Sequence, residues 1–128
     1  MMESKTIIKT SNAPKAIGAY SQGAMYEKFI FTSGQIPIDK NNNEIVSSDF
    51  RDQVCQTLNN LKDLIESQGS SIDKILKLTV YLTNMSDFNI LNEVFEDFFK
   101  ENFPARSVVQ VVKLPKNSQV EIEAICIR

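Results

Sequence analysis

The clearest hydrophobic pattern in the chain predicts a helix over Asp49 to Gln68. Ser48 or Asp49 can cap its start, and Gly69 is a typical residue just beyond a helix end. Its apolar stripe recurs at steps of three and four residues and consists of Phe50, Val54, Leu58, Leu61 and Ile65. A second stripe at the same spacing predicts a helix from about Ser86 to Glu101 and consists of Phe88, Leu91, Phe95 and Phe98.

Alternation of apolar and polar residues predicts the strands. The segment Ile75 to Thr83 alternates throughout, and its expected buried face carries Leu76, Leu78, Val80 and Leu82. Phe29 to Ser33 is a β-rich run, with Tyr20 to Tyr26 as its candidate hairpin partner. Two last strands are predicted over about Ser107 to Val112 and Val120 to Ile127.

The order of these elements is strands, helix, strand, helix, strands. That order predicts an α+β fold, as one domain over residues 1–128, with both helices on one face of a sheet. The other face of the last strand is mixed in character, since it carries Glu121, Glu123, Ile125 and Ile127. The isoleucines are too apolar to prefer water, and the glutamates are too charged for the core of a monomer. This face is therefore predicted to form a subunit interface with polar pockets in it.

Composition narrows the chemistry more than the fold. The 128 residues include 14 Lys plus Arg and 16 Asp plus Glu, and the net charge of −2 disfavours a dedicated nucleic-acid binder. Histidine is absent, which removes histidine-dependent triads, histidine-based zinc sites and the commonest general base. Cys55 and Cys126 have no metal-site or redox-pair spacing. Because the start lacks a signal-peptide run and no apolar run could cross a bilayer, we expect a cytosolic protein without a metal site.

Arg106 is the most unusual residue of the C-terminal half. It opens the valine-rich run that follows Phe103 and Pro104, and a buried guanidinium is costly unless an anion meets it. The pattern leaves two interpretations equally open. Arg106 could form an ordinary ion pair with Glu121 or Glu123, or it could hold the carboxylate of a ligand through the planar fork of its guanidinium.

Other candidate positions carry weaker signals. Glu121 and Glu123 are two residues apart and would point the same way on a strand, where a carboxylate pair can act as acid and base but is more often solvated or salt-bridged. Gly34 in "TSGQIP" ends a strand, where it allows either close approach of a ligand or a simple turn. Tyr20 in "AIGAYSQG" is most often a packed aromatic in such a setting.

Taken together, four stretches of the chain resemble one family. They are "SNAPKAIGAYSQG", "TSGQIP", "DFNILNEVFEDFF" and "FPARSVVQVVKLPKNSQVEIEAI", and they span nearly the whole chain in order. They are similar to the reactive-intermediate deaminases, the RidA/YjgF family. The resemblance implies a fold like that of chorismate mutase, with a mixed sheet and two helices on one face. It also implies a homotrimer with active sites in clefts between subunits.

The family resemblance further implies an activity and a set of site residues. Its members hydrolyse reactive enamines and imines, such as 2-aminoacrylate, 2-iminopropanoate and 2-iminobutanoate, to 2-oxo acids and ammonia, with no cofactor. Arg106 would bind the substrate carboxylate, and Glu121 would position or activate water. The positions that match the remaining pocket residues of the family are Tyr20, Ser33, Gly34 and Asn92.

Two positions depart from the family pattern. Many relatives have cysteine where this chain has Val108, so a mechanism that needs that thiol is not expected here. Many also have proline where this chain has Ala19, which is expected to change the stiffness of the loop. The alternative functions are a translation inhibitor that cleaves single-stranded RNA, and a non-enzymatic binder of small molecules or a chaperone-like protein. The net charge of −2 and the absence of histidine disfavour the ribonuclease.

Overall fold

Six strands form a single mixed sheet in the computed structural model, which describes residues 4–128. The elements in chain order are β1 (Thr6–Ile8), β2 (Gly23–Tyr26), β3 (Phe29–Thr32), α1 (Phe50–Glu66), β4 (Ile75–Leu82), α2 (Phe88–Phe99), β5 (Ala105–Gln110) and β6 (Val120–Ile127). The spatial order of the strands is β1-β2-β3-β6-β4-β5. Only β4 and β5 pair in parallel, and the α2 crossover joins them, as a parallel pair requires.

The predicted stripe of α1 is the face that packs into the core, whereas on α2 the buried face consists of Leu91, Val94, Phe95 and Phe99, so the prediction was right for Leu91 and Phe95 only. Asp49 caps α1, since its side chain accepts a hydrogen bond from the backbone N–H of Asp52 at 3.0 Å. Val54, Leu58 and Ile65 on α1 are completely buried. With residues of α2, they pack on the sheet face that contains Leu78, Leu82, Val80 and Ile122. The α+β prediction, with both helices on one face of a mixed sheet, is confirmed.

The strands differ from the sequence prediction in several details, among them the start of β2, which is Gly23 and not Tyr20. The short β1 was not predicted, because three residues are too few to show a period, and it forms by pairing with β2. The expected burial of Leu76 was wrong: Ile75 is buried and Leu76 is 44% exposed. An irregularity in the β4–β6 ladder between Ile75 and Lys77 changes the phase of the alternation there. β5 begins and ends two residues before the predicted bounds.

The sheet face away from the helices is open and strongly apolar. Phe29, Phe31, Ile7 and Val109 are 43–49% exposed, and Ile125 and Ile127 are half-buried beside them. A contiguous exposed apolar patch is typical of surfaces that bind another protein. Within residues 4–128, the structure contains no helix that is long and apolar enough to span a membrane.

Candidate active site

The predicted site residues lie on two different faces of the sheet. Arg106 pairs with Leu78 across β5 and β4, and Leu78 pairs with Ala124 on β6; both partners are buried under the helices. Glu121 pairs instead with Tyr81, whose side chain lies on the open face. Because residues directly opposite in a ladder share a face, Arg106 lies on the helix side and Glu121 on the open side.

Arg106 lies against the aromatic residues of α2. Its guanidinium carbon is 5.0 Å from the ring centroid of Phe95 and 5.4 Å from that of Phe88. Both distances fall within the range of cation–π attraction. The guanidinium opens into a cleft of about 320 Å³ lined also by Asn92, Glu96, Phe103 and Pro104. Arg106 and Asn92, which the sequence assigned to one site, therefore do lie together.

No carboxylate of the described chain neutralises Arg106. Among residues 4–128, the salt bridge that the structure contains is Arg51–Glu93, on the outer surface of the helices. The ion pair of Arg106 with Glu121 or Glu123, one of the two interpretations left open by the sequence, is thus not formed within the protomer. Partial burial lowers the pKa of Arg106 from its usual value, although arginine stays charged at any physiological pH. Its positive charge remains available to an external anion.

Glu121 packs directly over the backbone of Gly34. A Cβ atom added to Gly34 would overlap the carboxylate, with the Cδ of Glu121 only 2.7 Å away. This close approach explains why the "TSGQIP" segment has glycine at its third position, since any side chain there would displace the carboxylate. The interpretation of Gly34 as a mere turn residue does not account for this contact.

One extra residue between Phe31 and Gln35 forms a bulge, which brings Gly34 next to Glu121. Phe31 pairs with Ile125 and Gln35 pairs with Ile122, so four steps along one strand match three along the other. The hydroxyl oxygen of Thr32 accepts the hydrogen bond of the Ala124 N–H at 3.0 Å. Thr32 thus satisfies a backbone donor that the bulge leaves without a carbonyl partner.

Glu121, Gly34, Ser33 and Tyr20 line one cleft of about 430 Å³. The hydroxyl of Ser33 donates to the carbonyl oxygen of Ser21 at 2.6 Å, and the hydroxyl of Tyr20 accepts from the N–H of Ile17 at 3.2 Å. Tyr20 is 53% exposed, so it is not the packed aromatic that is usual for such a position. Four of the six predicted residues are therefore together here, and the other two are on the opposite face.

Gln22 organises the loop that carries Tyr20, and the sequence did not single it out. It is 4% exposed, and its side-chain oxygen accepts from Thr10 N at 2.7 Å. Its amide nitrogen donates to the carbonyl oxygens of Thr10 at 3.0 Å and Pro14 at 2.8 Å. The sequence placed Gln22 inside the candidate strand Tyr20 to Tyr26, whereas β2 begins at Gly23, and a polar residue in such a strand is ordinarily expected on its exposed face.

The surroundings of Glu121 favour its protonated form more than water does. Burial raises the pKa of Glu121, and the negative charge of Glu123 raises it further. Glu123 itself accepts a hydrogen bond from the hydroxyl of Tyr81 at 2.8 Å, and this bond raises the pKa of Tyr81. A carboxylate with a raised pKa is a stronger base than a free glutamate, which suits it to accept a proton from a bound water.

The sequence comparisons decide the family. The family model described as endoribonuclease L-PSP matches residues 10–128. A RutC family protein from Pyrococcus horikoshii is 49% identical over 94% of this chain and 96% of its own length. The human 2-iminobutanoate/2-iminopropanoate deaminase is 40% identical over 97% of this chain and 90% of its own length. The chain belongs to the RidA/YjgF family.

Solved structures of the RidA/YjgF family have the same fold. The crystal structure of Escherichia coli TdcF with bound serine superposes with a TM-score of 0.91 at 44% identity, covering 96% of this chain and 98% of that one. The resemblance drawn from the four sequence motifs is thus confirmed. The roles of the six site residues stay predictions.

Proposed function

We propose that the protein is an imine deaminase, which hydrolyses 2-iminopropanoate and 2-iminobutanoate to the 2-oxo acids and ammonia. The observation that carries the proposal is the character of its two clefts. One presents an arginine without a carboxylate partner in the described chain, and the other presents a half-buried carboxyl group against Gly34. The names of the human relative and of other deaminases at 39–40% identity support this substrate class.

The chemistry requires little beyond these two groups. An imine carbon is electrophilic, so water can add to it while the C=N bonding pair moves to nitrogen. Glu121 would accept a proton from the attacking water and give it to the nitrogen of the tetrahedral intermediate. The C–N bond then breaks, the C=O bond forms from the hydroxyl, and ammonia leaves with the released proton. Arg106 would hold the substrate carboxylate through both steps.

Because Arg106 and Glu121 lie on opposite faces of one sheet, the site we propose needs two protomers. The apolar open face, with Phe29, Phe31 and Ile125, is suited to bind another copy of the chain. In a homotrimer, the cleft around Glu121 of one subunit would face the edge strand and Arg106 of the next. A cyclic arrangement of this kind repeats the same site three times.

The test is to generate the imine in the assay. A pyridoxal-phosphate dehydratase acting on serine or threonine produces the imine, and semicarbazide traps whatever is not hydrolysed. We expect the protein to lower the trapped fraction and to speed 2-oxo acid release, and Arg106→Ala and Glu121→Gln to abolish the effect. Arg51→Ala, on the outer helix surface, is the matched arginine control.

Two outcomes would overturn the proposal. One is a wild-type protein that has no effect on the trapped fraction, and the other is full activity in Arg106→Ala. The same preparations should be incubated with single-stranded RNA. Cleavage that survives rigorous purification and is lost in Arg106→Ala would favour the ribonuclease alternative.

A further inference from the structure

The open face of the sheet contains a hydrogen-bonded pair next to Glu121 that the proposed reaction does not use. Tyr81 is directly opposite Glu121 in the β4–β6 ladder, yet its hydroxyl donates to Oε1 of Glu123 at 2.8 Å. Glu123 follows Glu121 by two residues on β6, so both carboxyl groups point to the same side, with their Cα atoms about 7 Å apart. Tyr81 therefore lies opposite Glu121 in the ladder and donates a hydrogen bond to Glu123.

No cation of the described chain forms an ion pair with Glu123. The nearest lysine on this face of β4 is Lys77, which donates to the hydroxyl of Ser107 at 3.0 Å instead. Residues 4–128 contain no salt bridge to Glu123. The hydroxyl of Tyr81 is a neutral donor, so it fixes the position of the Glu123 carboxylate without cancelling its charge.

We propose that Tyr81 and Glu123 act as a positioning pair for Glu121, holding a second negative charge at a fixed place beside the group that moves the proton. This inference rests on the proposed function for its role in catalysis, but the coupling between the carboxyl groups exists in the protein alone. Its consequence is that Glu121 binds a proton more readily than its partial burial alone would allow.

Within one protomer, the other groups around Glu121 do not replace this effect. In the proposed trimer, Arg106 of the next subunit adds a positive charge that acts on Glu121 in the opposite sense, and the charge of Glu123 remains. Its cleft and ladder contain the following titratable side chains: Lys15 and Tyr20 from the loop before β2, Lys116 from the turn before β6, Tyr81 from β4 and Glu123 from β6. Lys116 donates to the carbonyl oxygen of Asn43 at 3.0 Å, so its charge is held by another loop. Beyond burial, Glu123 is the group that raises the pKa of Glu121.

The direct test is a carboxyl titration by NMR on the assembled protein, labelled with ¹³C at the glutamate side-chain carboxyl. Glu121→Gln identifies the resonance of Glu121. We expect Glu123→Gln to move the midpoint of Glu121 to lower pH, because the amide keeps the bond to Tyr81 but has no charge. Tyr81→Phe should move it in the same direction by less, since the charge remains but is no longer fixed.

A double-mutant cycle separates the pair from a merely structural effect. The effect of Tyr81→Phe should disappear in the Glu123→Gln background, because the tyrosine acts only through that charge. Glu101→Gln is the matched control, at an exposed glutamate in the turn after α2, and it should leave the midpoint in place. Circular dichroism and molecular mass identify any variant that fails to fold or assemble, and the remaining single variant then carries the test.

The outcomes keep this inference apart from the proposed function. An unchanged Glu121 midpoint in Glu123→Gln overturns the positioning pair, whether or not the protein hydrolyses imines. So does a Tyr81→Phe effect that persists undiminished in the double variant. A wild-type protein with the expected coupling but no deaminase activity would refute the proposed reaction and leave the pair intact. If both hold, the acid limb of the pH–rate profile should move to lower pH in Glu123→Gln.

Discussion

Arg106 and Glu121 lie on opposite faces of one sheet, although they are only two strands apart. Arg106 lies under α2, against Phe88 and Phe95, and Glu121 lies over Gly34 on the open side. Two groups in this arrangement cannot meet on one small substrate within a single protomer. This relationship decides how the proposed activity depends on assembly.

Mixing two inactive variants should therefore restore activity. An Arg106→Ala subunit still has Glu121, and a Glu121→Ala subunit still has Arg106. If the variants assemble at random from an equal mixture, about one quarter of the sites in a cyclic trimer obtain both intact groups. We expect roughly that fraction of wild-type deaminase activity after co-expression.

The control is a mixture that is not allowed to exchange subunits. Each variant purified alone and combined just before the assay should stay inactive. If co-expressed mixtures also stay inactive while light scattering confirms mixed assemblies, the two residues do not share a site across subunits.

Phe88→Leu tests whether the aromatic contacts hold Arg106 ready for a carboxylate. Losing one cation–π contact of about 0.5–1 kcal/mol should raise KM about two- to fivefold. We expect kcat to change little, because Phe88 contacts the residue that binds the carboxylate and not the group that moves the proton. Steady-state kinetics give both values, and a fall in kcat at constant KM would contradict a role of Phe88 in binding.

Sequence periodicity was sufficient for the core faces of α1 and β6, because each buries one face and exposes another. On α2 it missed Val94 and Phe99. It could not predict the face of Arg106. β5 is an edge strand with valines on both sides: Val108 packs against the core and Val109 is 43% exposed on the other face. Because apolar residues lie on both faces of β5, the alternation does not indicate which face is buried. The bulge that places Gly34 under Glu121 depends on pairing with a strand nearly 90 residues away, so no local pattern contains it.

Gly34→Ala should impair catalysis much more than stability. The added methyl group meets the flexible end of Glu121, which can move away, so we expect a stability loss of only about 1 kcal/mol. The displaced carboxyl group would no longer reach the attacking water, which should lower kcat by a factor on the order of 10². In a Glu121→Ala background the stability cost should vanish. A stability cost that remains in that background would mean that glycine is required at position 34 for its backbone conformation and not for the contact with Glu121.

Gln22→Ala should destabilise the loop before β2. It removes the partner of the Thr10 N–H and of two carbonyl groups, so we expect a loss of about 2–4 kcal/mol in the free energy of unfolding. Gln22→Glu is the matched variant, since a carboxylate can still accept from Thr10 but cannot donate to Pro14. Denaturant unfolding measures the cost, and equal stability of all three proteins would show that the amide does not hold the loop.

In an Arg106→Ala background, Glu121→Gln should stabilise the folded protein at neutral pH. This background removes the cation that the proposed trimer brings to the cleft of Glu121. The pKa of Glu121 is raised in the folded state, so the folded protein holds this proton more tightly than the unfolded chain does. Stability therefore falls as the pH rises from the unfolded pKa to the folded one, and the full penalty is present above the folded pKa. Glutamine has no such penalty. The difference in thermal midpoint between Arg106→Ala/Glu121→Gln and Arg106→Ala should be positive at pH 7 and should shrink to zero well below the usual glutamate range. A difference that is the same at both pH values would show that the ionised carboxylate is not the source, and that Glu121 has no unfavourable charge for the proposed reaction to use.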